Sequence, residues 1–431
     1  MGSFVQTALG DKLGRVRFMQ VLCVLVTIGS TIQTAAVNLP MFLVGRALAG
    51  IAVGGMVGTV PTYLAEISKP EHRGMLGGIA GVGISLGAML ANWVGFACYF
   101  APYGPVQWRV PLAMQIPWGI VMFFGLSTFM PDSPRHLIRA GKNDAARTAF
   151  RKIHRSSGSL DDLQEFDMLV TQVQTEMEHE SITYAQAFRV YRRRALVSIA
   201  VQSMTSLTGI NVIQYFQTSL YKGLGSSRTE VLALSGAYGT IAFLSNVIAV
   251  RFLMDRWGRR PMLLTGLACV AGVEIYAAVM QRAFQNTDDR IGKGFAILGI
   301  YLFVTVYYAL INSTTWLYGA EILPNAIRSK IMGVACASHF LINVALTQAG
   351  PTAFATIHEN YYYVFVACIL TFWVVGYFYF VETRNRTLED IAFAFGDSKN
   401  IGVADSESPS PDERFLKDKS EVIKRERVAH V

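Results

Sequence analysis

Ten stretches of this 431-residue chain run for about 20 residues or more almost without charge, and that pattern limits the fold more than any other feature. They are Phe18–Val37, Leu39–Leu64, Gly74–Phe100, Val110–Met130, Ala195–Tyr221, Val231–Val250, Met262–Gln281, Phe295–Ala320, Ile331–Ile357 and Asn360–Val381, interrupted by no charge except Arg46 and Glu274. Hydrocarbon offers a backbone amide no partner, so runs of this length must satisfy their own N–H and C=O groups, which the α-helix does within one segment. Proline and glycine inside the runs are tolerated for the same reason, because neighbouring helices restore the lost bonds. Charged residues make up 16% of the chain, against about 25% in ordinary soluble domains. An all-α membrane protein with ten complete spans is the expectation.

The basic residues orient it. Of 38 Lys and Arg residues, 31 fall on one set of alternating loops and the C-terminal tail, six on the opposite set, and Arg46 lies inside a span. Loops rich in Lys and Arg stay on the cytoplasmic side, so both termini are expected there, in a multi-pass protein of the plasma membrane. This topology and anionic lipid at the inner surface account for the net charge of +8, and no nucleic-acid partner is implied. The five cysteines, Cys23, Cys98, Cys269, Cys336 and Cys368, lie in or beside apolar runs with no zinc-like spacing. No metal and no cofactor are expected.

Short charged turns repeat along the chain. Asp11-Lys12-Leu13-Gly14-Arg15 returns as Asp255-Arg256-Trp257-Gly258-Arg259, and the seven-residue spacing of Glu66 and Arg73 returns in Glu321 and Arg328. Equivalent charges at equivalent helix ends are the mark of internally duplicated secondary transporters, in which one half rocks against the other. Four runs precede the polar stretch Pro131–Arg194 and six come after it, so two spans of the first half are expected to be missing before Met1, with Phe4–Gly10 as the last turns of the second; no signal peptide is evident. The expected organisation is a shortened N-terminal bundle over 1–130, an intracellular helical insert over 131–194, a six-helix bundle over 195–382 and a mostly disordered cytoplasmic tail over 383–431. Within these, Asn143–Ile153, Leu160–Glu180 and Leu388–Phe395 are helix-compatible.

Several motifs taken in order resemble the sugar porter branch of the major facilitator superfamily, fungal type, over almost the whole chain. Gly10-Asp11-x-x-Gly14-Arg15 looks like the loop between family helices two and three, and Gly45-Arg46 like the start of helix four. Pro61-Thr62-Tyr63-Leu64-Ala65-Glu66 with Arg73-Gly74 resembles the turn after helix four. Pro131-Asp132-Ser133-Pro134-Arg135 is similar to the signature after helix six, with Asp for the usual Glu. Thr208-Gly209-Ile210-Asn211 resembles helix seven, Trp316 with Glu321 and Arg328 helix ten, and Val381-Glu382-Thr383-Arg384 the end of helix twelve. The resemblance implies the major facilitator fold, here family helices three to twelve plus the insert.

Twelve charged residues would then lie at cytoplasmic helix ends: Asp11, Arg15, Glu66, Arg73, Asp132 and Arg135 in the first half, and Asp255, Arg259, Glu321, Arg328, Glu382 and Arg384 in the second. Pairs among them in a partly desolvated interface would hold that side closed and separate as the protein rocks, a latch. A polyhydroxylated solute needs neutral hydrogen-bonding groups and an aromatic face near the bilayer midplane. Mid-span, the chain offers Thr205, Ser206, Asn211, Gln214, Tyr215, Asn312, Trp316, His339 and Asn343, of which the resemblance assigns Asn211, Trp316 and Asn343 to sugar contact. Thr205-Ser206 stands where the family has two glutamines, Gly81 where helix five has one, and His339 where helix eleven has an asparagine. Those exchanges point away from plain glucose. Gly50, Gly54 and Gly58, four residues apart, are expected to allow close helix packing.

Arg46 is a candidate for coupling, since a cation inside a span costs roughly 2.5–3.5 kcal/mol and calls for a partner; the resemblance places that partner on the absent first helix. Glu274 lies on a helix that the resemblance places at the periphery, so it is not paired with Arg46. The resulting expectation is alternating-access transport of a sugar or polyol by a monomer in lipid, with proton coupling in the complete form. The rivals are a truncated non-transporting product, a carrier of quinate, inositol or a secondary metabolite, and a nutrient receptor of the same fold.

Overall fold

The computed structural model describes residues 1–68, 73–154, 166–171, 173–174, 177, 188–285, 287–384, 386 and 388–396. Each apolar run becomes a helix whose ends lie within two turns of those of the run, and where arginine stands just before the run, as at Arg15, Arg73, Arg192 and Arg259, the helix begins at it. After a first helix α1 (Gly2–Leu13) come α2 (Arg15–Thr34), α3 (Leu39–Ile67), α4 (Arg73–Tyr99) and α5 (Val106–Thr128). Two short helices, α6 (Pro134–Arg139) and α7 (Asn143–His154), lead to the second group. That group comprises α8 (Arg192–Gly223), α9 (Arg228–Trp257), α10 (Arg259–Phe284), α11 (Arg290–Glu321), α12 (Asn325–Thr356) and α13 (Tyr361–Tyr379), with α14 (Leu388–Phe395) after it. Among the described residues ten helices are long and apolar enough to cross a membrane.

Local chemistry sets the ends. Asn38 accepts from the Met41 amide at 2.9 Å to start α3, and Ser227 with Glu230 forms a reciprocal capping box at α9. The repeated Gly-Arg turn has a stereochemical basis: Gly14 and Gly258 take φ of 86° and 89°, a region costly for residues bearing a Cβ, so the chain reverses there before the next helix begins at the arginine.

In the first group α2 packs on α3 and α5 through small residues. A Cβ on Gly29 would stand 2.7 Å from the Ala49 amide nitrogen, so the α2 and α3 backbones are nearly in contact. Helix α1 lies between the groups, on α3 through Gly54 and Gly58 and on α12, where a Cβ at Gly333 would collide with the Thr7 hydroxyl. The glycine stripe is therefore used at Gly54 and Gly58 but not at Gly50, around which nothing lies within 4 Å. The second group holds the largest apolar core, drawn from α8 to α13. The groups meet where α4 packs on α9 and α11 and where α1 and α3 pack on α12. In the polar stretch, Ile138, Ala146, Phe150, Phe166 and Val173 form a small separate core. Most of Leu160–Glu180, and the tail beyond residue 396, lie outside the described residues.

Candidate functional site

At the end of the bundle rich in basic residues, the two halves build the same cluster twice. In the first, Arg15 donates from Nη2 and Nε to Glu66 Oε1 at 2.9 and 3.2 Å, and from Nη1 to the Gly10 carbonyl at 2.9 Å. In the second, Arg259 grips both oxygens of Glu321, Nη2 to Oε1 at 3.1 Å and Nε to Oε2 at 3.2 Å, with Nη1 3.4 Å from the Met254 carbonyl. Each arginine thus reaches back five residues as well as across to its acid. Three residues before each acid a tyrosine repeats the symmetry: Tyr63 donates to the Pro131 carbonyl at 2.8 Å and Tyr318 to the Val381 carbonyl at 2.9 Å.

A further carboxylate serves each cluster. Glu382 accepts from the amides of Arg259 and Arg260 at 2.9 and 3.1 Å, satisfying orphan donors at the start of α10, where negative charge is favoured. Asp132 occupies the matching place, since a Cβ on Gly14 would lie 2.8 Å from its Oδ2. Arg328 closes the other pole by donating to the Ala320 and Leu323 carbonyls at 2.9 and 3.0 Å at the C-terminal end of α11. Arg384 donates to the Arg256 carbonyl, and Arg135 is half-buried on α6. The side chains of Asp11 and Arg73 lie outside the described residues.

The arrangement changes the expected pairing. Among the described residues the close arginine–carboxylate pairs of the clusters, Arg15–Glu66 and Arg259–Glu321, each join helices of one half. What crosses between halves is the seating of the second cluster on the α4 backbone and the approach of Arg328 to Glu66. The start of α4 rests on Asp255 and Arg259 so closely that a Cβ on Gly74 would overlap the Asp255 carboxylate. Arg328 of α12 is in turn an electrostatic neighbour of Glu66. The physical reason is geometric: a bidentate pair needs two side chains held rigidly, which helices of one packed bundle supply and a moving seam does not.

The nine polar candidates separate by exposure. Asn211, Gln214 and Asn343 are half-buried and Tyr215 is 56% exposed, all on α8 or α12, while Thr205, Ser206, Asn312, Trp316 and His339 are buried. Among the described residues the Asn211 side-chain nitrogen has no hydrogen-bond partner, whereas Asn343 accepts from Thr347 at 3.1 Å. His339 is tied down: its Nδ1 lies 2.9 Å from the Ser206 hydroxyl and 3.2 Å from the Gln202 carbonyl, and its ring meets Trp316 edge-on at 5.3 Å. Thr205 hydrogen-bonds the Val201 carbonyl of its own helix.

Asn312 does not turn to the open space either. A π-helical turn over Tyr307–Asn312 inserts an extra residue in α11 and re-aims the side chains beyond it, so that Asn312 Nδ2 lies 3.3 Å from the Gly81 carbonyl of α4. Ser313 donates to the Gly78 carbonyl at 3.1 Å and to Asn246 at 2.8 Å. A Cβ on Gly81 would be 2.1 Å from Ser313 Oγ, so a glutamine there has no room. Ser313 and Gln202 escaped the sequence reading. Ser198, Gln202 and Ser206 recur every fourth residue on α8, a stripe that could have flagged the face it turns to α11 and α12, where Ser198 and Gln202 donate to Gly319 and Thr315 carbonyls at 3.0 and 3.2 Å.

Arg46 is exposed on α3, about two turns from its start, within reach of the interface by snorkelling. Glu274 of α10 is 0% exposed, its side chain turned into the second half.

Comparison with known proteins bears on nearly the whole chain. Residues 1–395 match the family described as sugar (and other) transporter. The MFS-type transporter criB of Aspergillus cristatus is 32% identical over 93% of this chain and 82% of its own length. The low-affinity glucose transporter HXT3 of Saccharomyces cerevisiae is 28% identical over 91% of this chain and 70% of its own length. The proton:xylose symporter XylE, bound to 6-bromo-6-deoxy-D-glucose, superposes with a TM-score of 0.80 over 91% of this chain and 87% of its own at 22% identity, a likeness of fold.

Proposed function

The chain belongs to the sugar (and other) transporter family, a family of multi-pass membrane carriers rather than enzymes, and from that premise we propose that it moves a sugar or polyol by alternating access. One observation carries the reading: two equivalent charge clusters at one end of the molecule, each assembled within its half, the second seated against the α4 backbone at Gly74 and the first facing Arg328 of α12. Such contacts separate as rigid units, so the halves can part without leaving a bare buried charge. With the basic end cytoplasmic and both termini there, this is the outward-facing arrangement of a plasma-membrane carrier acting as a monomer in lipid.

The solute meets Asn211, Gln214, Tyr215 and Asn343 first, with Trp316 and His339 as the wall behind. Because Gly81 and His339 replace long amides and both are locked into protein contacts, the favoured cargo is a polyhydroxylated solute other than unmodified glucose. Proton coupling belongs to the same proposal and is tested with it. Uptake of labelled hexoses, pentoses, polyols and quinate into transporter-null cells at two external pH values decides both cargo and coupling. Entry of none of them into cells that insert the protein normally would end the transport reading. Trp316→Ala is expected to weaken apparent solute affinity by roughly tenfold, the loss of one aromatic face worth about 1.4 kcal/mol, with the maximal rate changed less.

A further inference from the structure

At the end of the second half away from the charge clusters lies a cavity of about 300 Å³, lined by none of the nine polar candidates. Helices α8, α10 and α12 all begin at the end rich in basic residues, and their far ends converge on it. Ser219 of α8 and Pro351 of α12 stand on its wall, each eight residues beyond Asn211 and Asn343, so it lies about 12 Å further along the same two helices. Part of the lining is aromatic. The rings of Phe216 and Phe354 meet edge-on at 5.7 Å, and Phe216 comes so near α12 that a Cβ on Gly350 would stand 2.6 Å from its Cε2. The rest is polar. Gln281, 8% exposed, holds its amide nitrogen 3.5 Å from Gln285 Oε1, a long bond for an amide. The turn between α12 and α13 adds His358 and Glu359. His358 has φ 47°, and no other non-glycine residue among those described has a positive φ. That backbone, unfavourable for most side chains, brings two successive polar side chains to one cavity, and strain of this kind gathers at functional sites.

We propose that this cavity is a second solute site, one that takes a neutral polyhydroxylated molecule of a single ring. Its volume stands at the lower end of the range for small-molecule sites, about 300–1,000 Å³, which suits one ring rather than two. Its mixture of groups fits the same class. The Glu359 carboxylate accepts from hydroxyls, the amides of Gln281 and Gln285 both donate and accept, and the rings of Phe216 and Phe354 offer apolar surface to the C–H faces of a ring. Charge narrows the choice further. Arg282 stands 3.8 Å from Glu359 and offsets it, so neither an amine nor an organic acid gains from the field there. Among the described residues no three His, Cys, Asp or Glu side chains gather as a metal site would require, so His358 and Glu359 are read as hydrogen-bonding groups. Gly223 keeps the mouth open: it is exposed, and Gln285 Nε2 would lie 3.4 Å from a Cβ placed on it.

That the cavity faces outward rests on the transport reading, whereas its occupancy does not, and the test keeps the two apart. The full chain in lipid nanodiscs, carrying Ser219→Cys in a version lacking the native cysteines, is labelled by an impermeant thiol reagent. The probes added are D-glucose, D-xylose, myo-inositol and ethanolamine. At least one of the three neutral probes is expected to protect the thiol. Glu359→Gln should raise the protecting concentration by roughly tenfold or more, because a charged acceptor is lost. Gly223→Leu, whose side chain enters the cavity, should abolish protection. In Trp316→Ala, altered at the proposed solute site instead, the protecting concentration should stay within about twofold. A concentration that moves with Trp316→Ala and not with Glu359→Gln would show the thiol to be reporting that other site, and the proposal falls. Protection by no neutral probe, or by ethanolamine in preference to them, overturns it as well. Should Glu359→Gln not fold, undiminished protection in Gly223→Leu overturns it equally. Absence of uptake by the unaltered protein ends the transport reading and leaves protection at position 219 to decide the cavity.

Discussion

Arg259→Ala is expected to lower the melting temperature of the purified protein by several degrees and its uptake rate by roughly tenfold or more, with apparent solute affinity held within about twofold. Arg259 and Glu321 are 3% and 2% exposed, and the guanidinium takes both carboxylate oxygens. Removing one member of a buried pair leaves the other charge uncompensated, at about 3–5 kcal/mol. Thr383, which donates to Glu321 Oε2 at 2.7 Å, cannot replace that charge. The same change unseats the start of α4, so the state with the basic end closed bears the cost. Adding Glu321→Gln to Arg259→Ala should recover part of the stability, because no orphan charge then remains. Arg259→Lys should fall between, since an ammonium cannot span both oxygens. Thermal unfolding and initial-rate uptake across solute concentrations read these effects, and an equal loss of affinity would show the cluster to be part of the binding site instead.

Gly81→Ala should open the basic end. Its Cβ would lie 2.1 Å from Ser313 Oγ, which a rotamer change relieves, and 2.9 Å from Ser313 Cα, which it does not. Overpacking of this kind costs about 1–3 kcal/mol. Here the cost falls only where α4 and α11 touch, along with the bonds from Asn312 and Ser313 to α4 carbonyls. A bias of that size shifts the balance between the two facing states by roughly tenfold or more. Labelling of a cysteine placed at Ser329 by an impermeant thiol reagent, applied from the basic side to a version lacking the native cysteines, should rise accordingly. Gly83→Ala is the control, because nothing lies within 4 Å of that position. Equal labelling of both variants would mean that the α4–α11 contact does not hold the halves together.

Much of the architecture could be read residue by residue. The ten apolar runs became the ten spans, with ends displaced by a few residues, and Leu388–Phe395 is the helix its pattern suggested. The repeated Gly-Arg turns located both charge clusters, because the glycine is needed for backbone conformation and the arginine for its fork of donors. The central site was less legible. Residue type marked Asn211, Asn312 and His339 alike as polar groups in a membrane, yet Asn211 has an unpartnered amide among the described residues while Asn312 and His339 are spent on helix contacts. Hydrogen-bonding capacity belongs to a side chain, but what it bonds depends on which helix lies opposite.

Length, apolarity and the doubled turns therefore determined, from the chain alone, that this protein is a duplicated bundle of membrane helices with charge gathered at one end. Those are local properties, set within a turn or a single span. Only the tertiary structure decided that the arginine–carboxylate pairs close within each half, that Gly81 is a contact between halves, and that the Glu274 side chain is enclosed. Each of these depends on separations of a few ångströms between helices tens to hundreds of residues apart, and no spacing along the chain encodes such a distance.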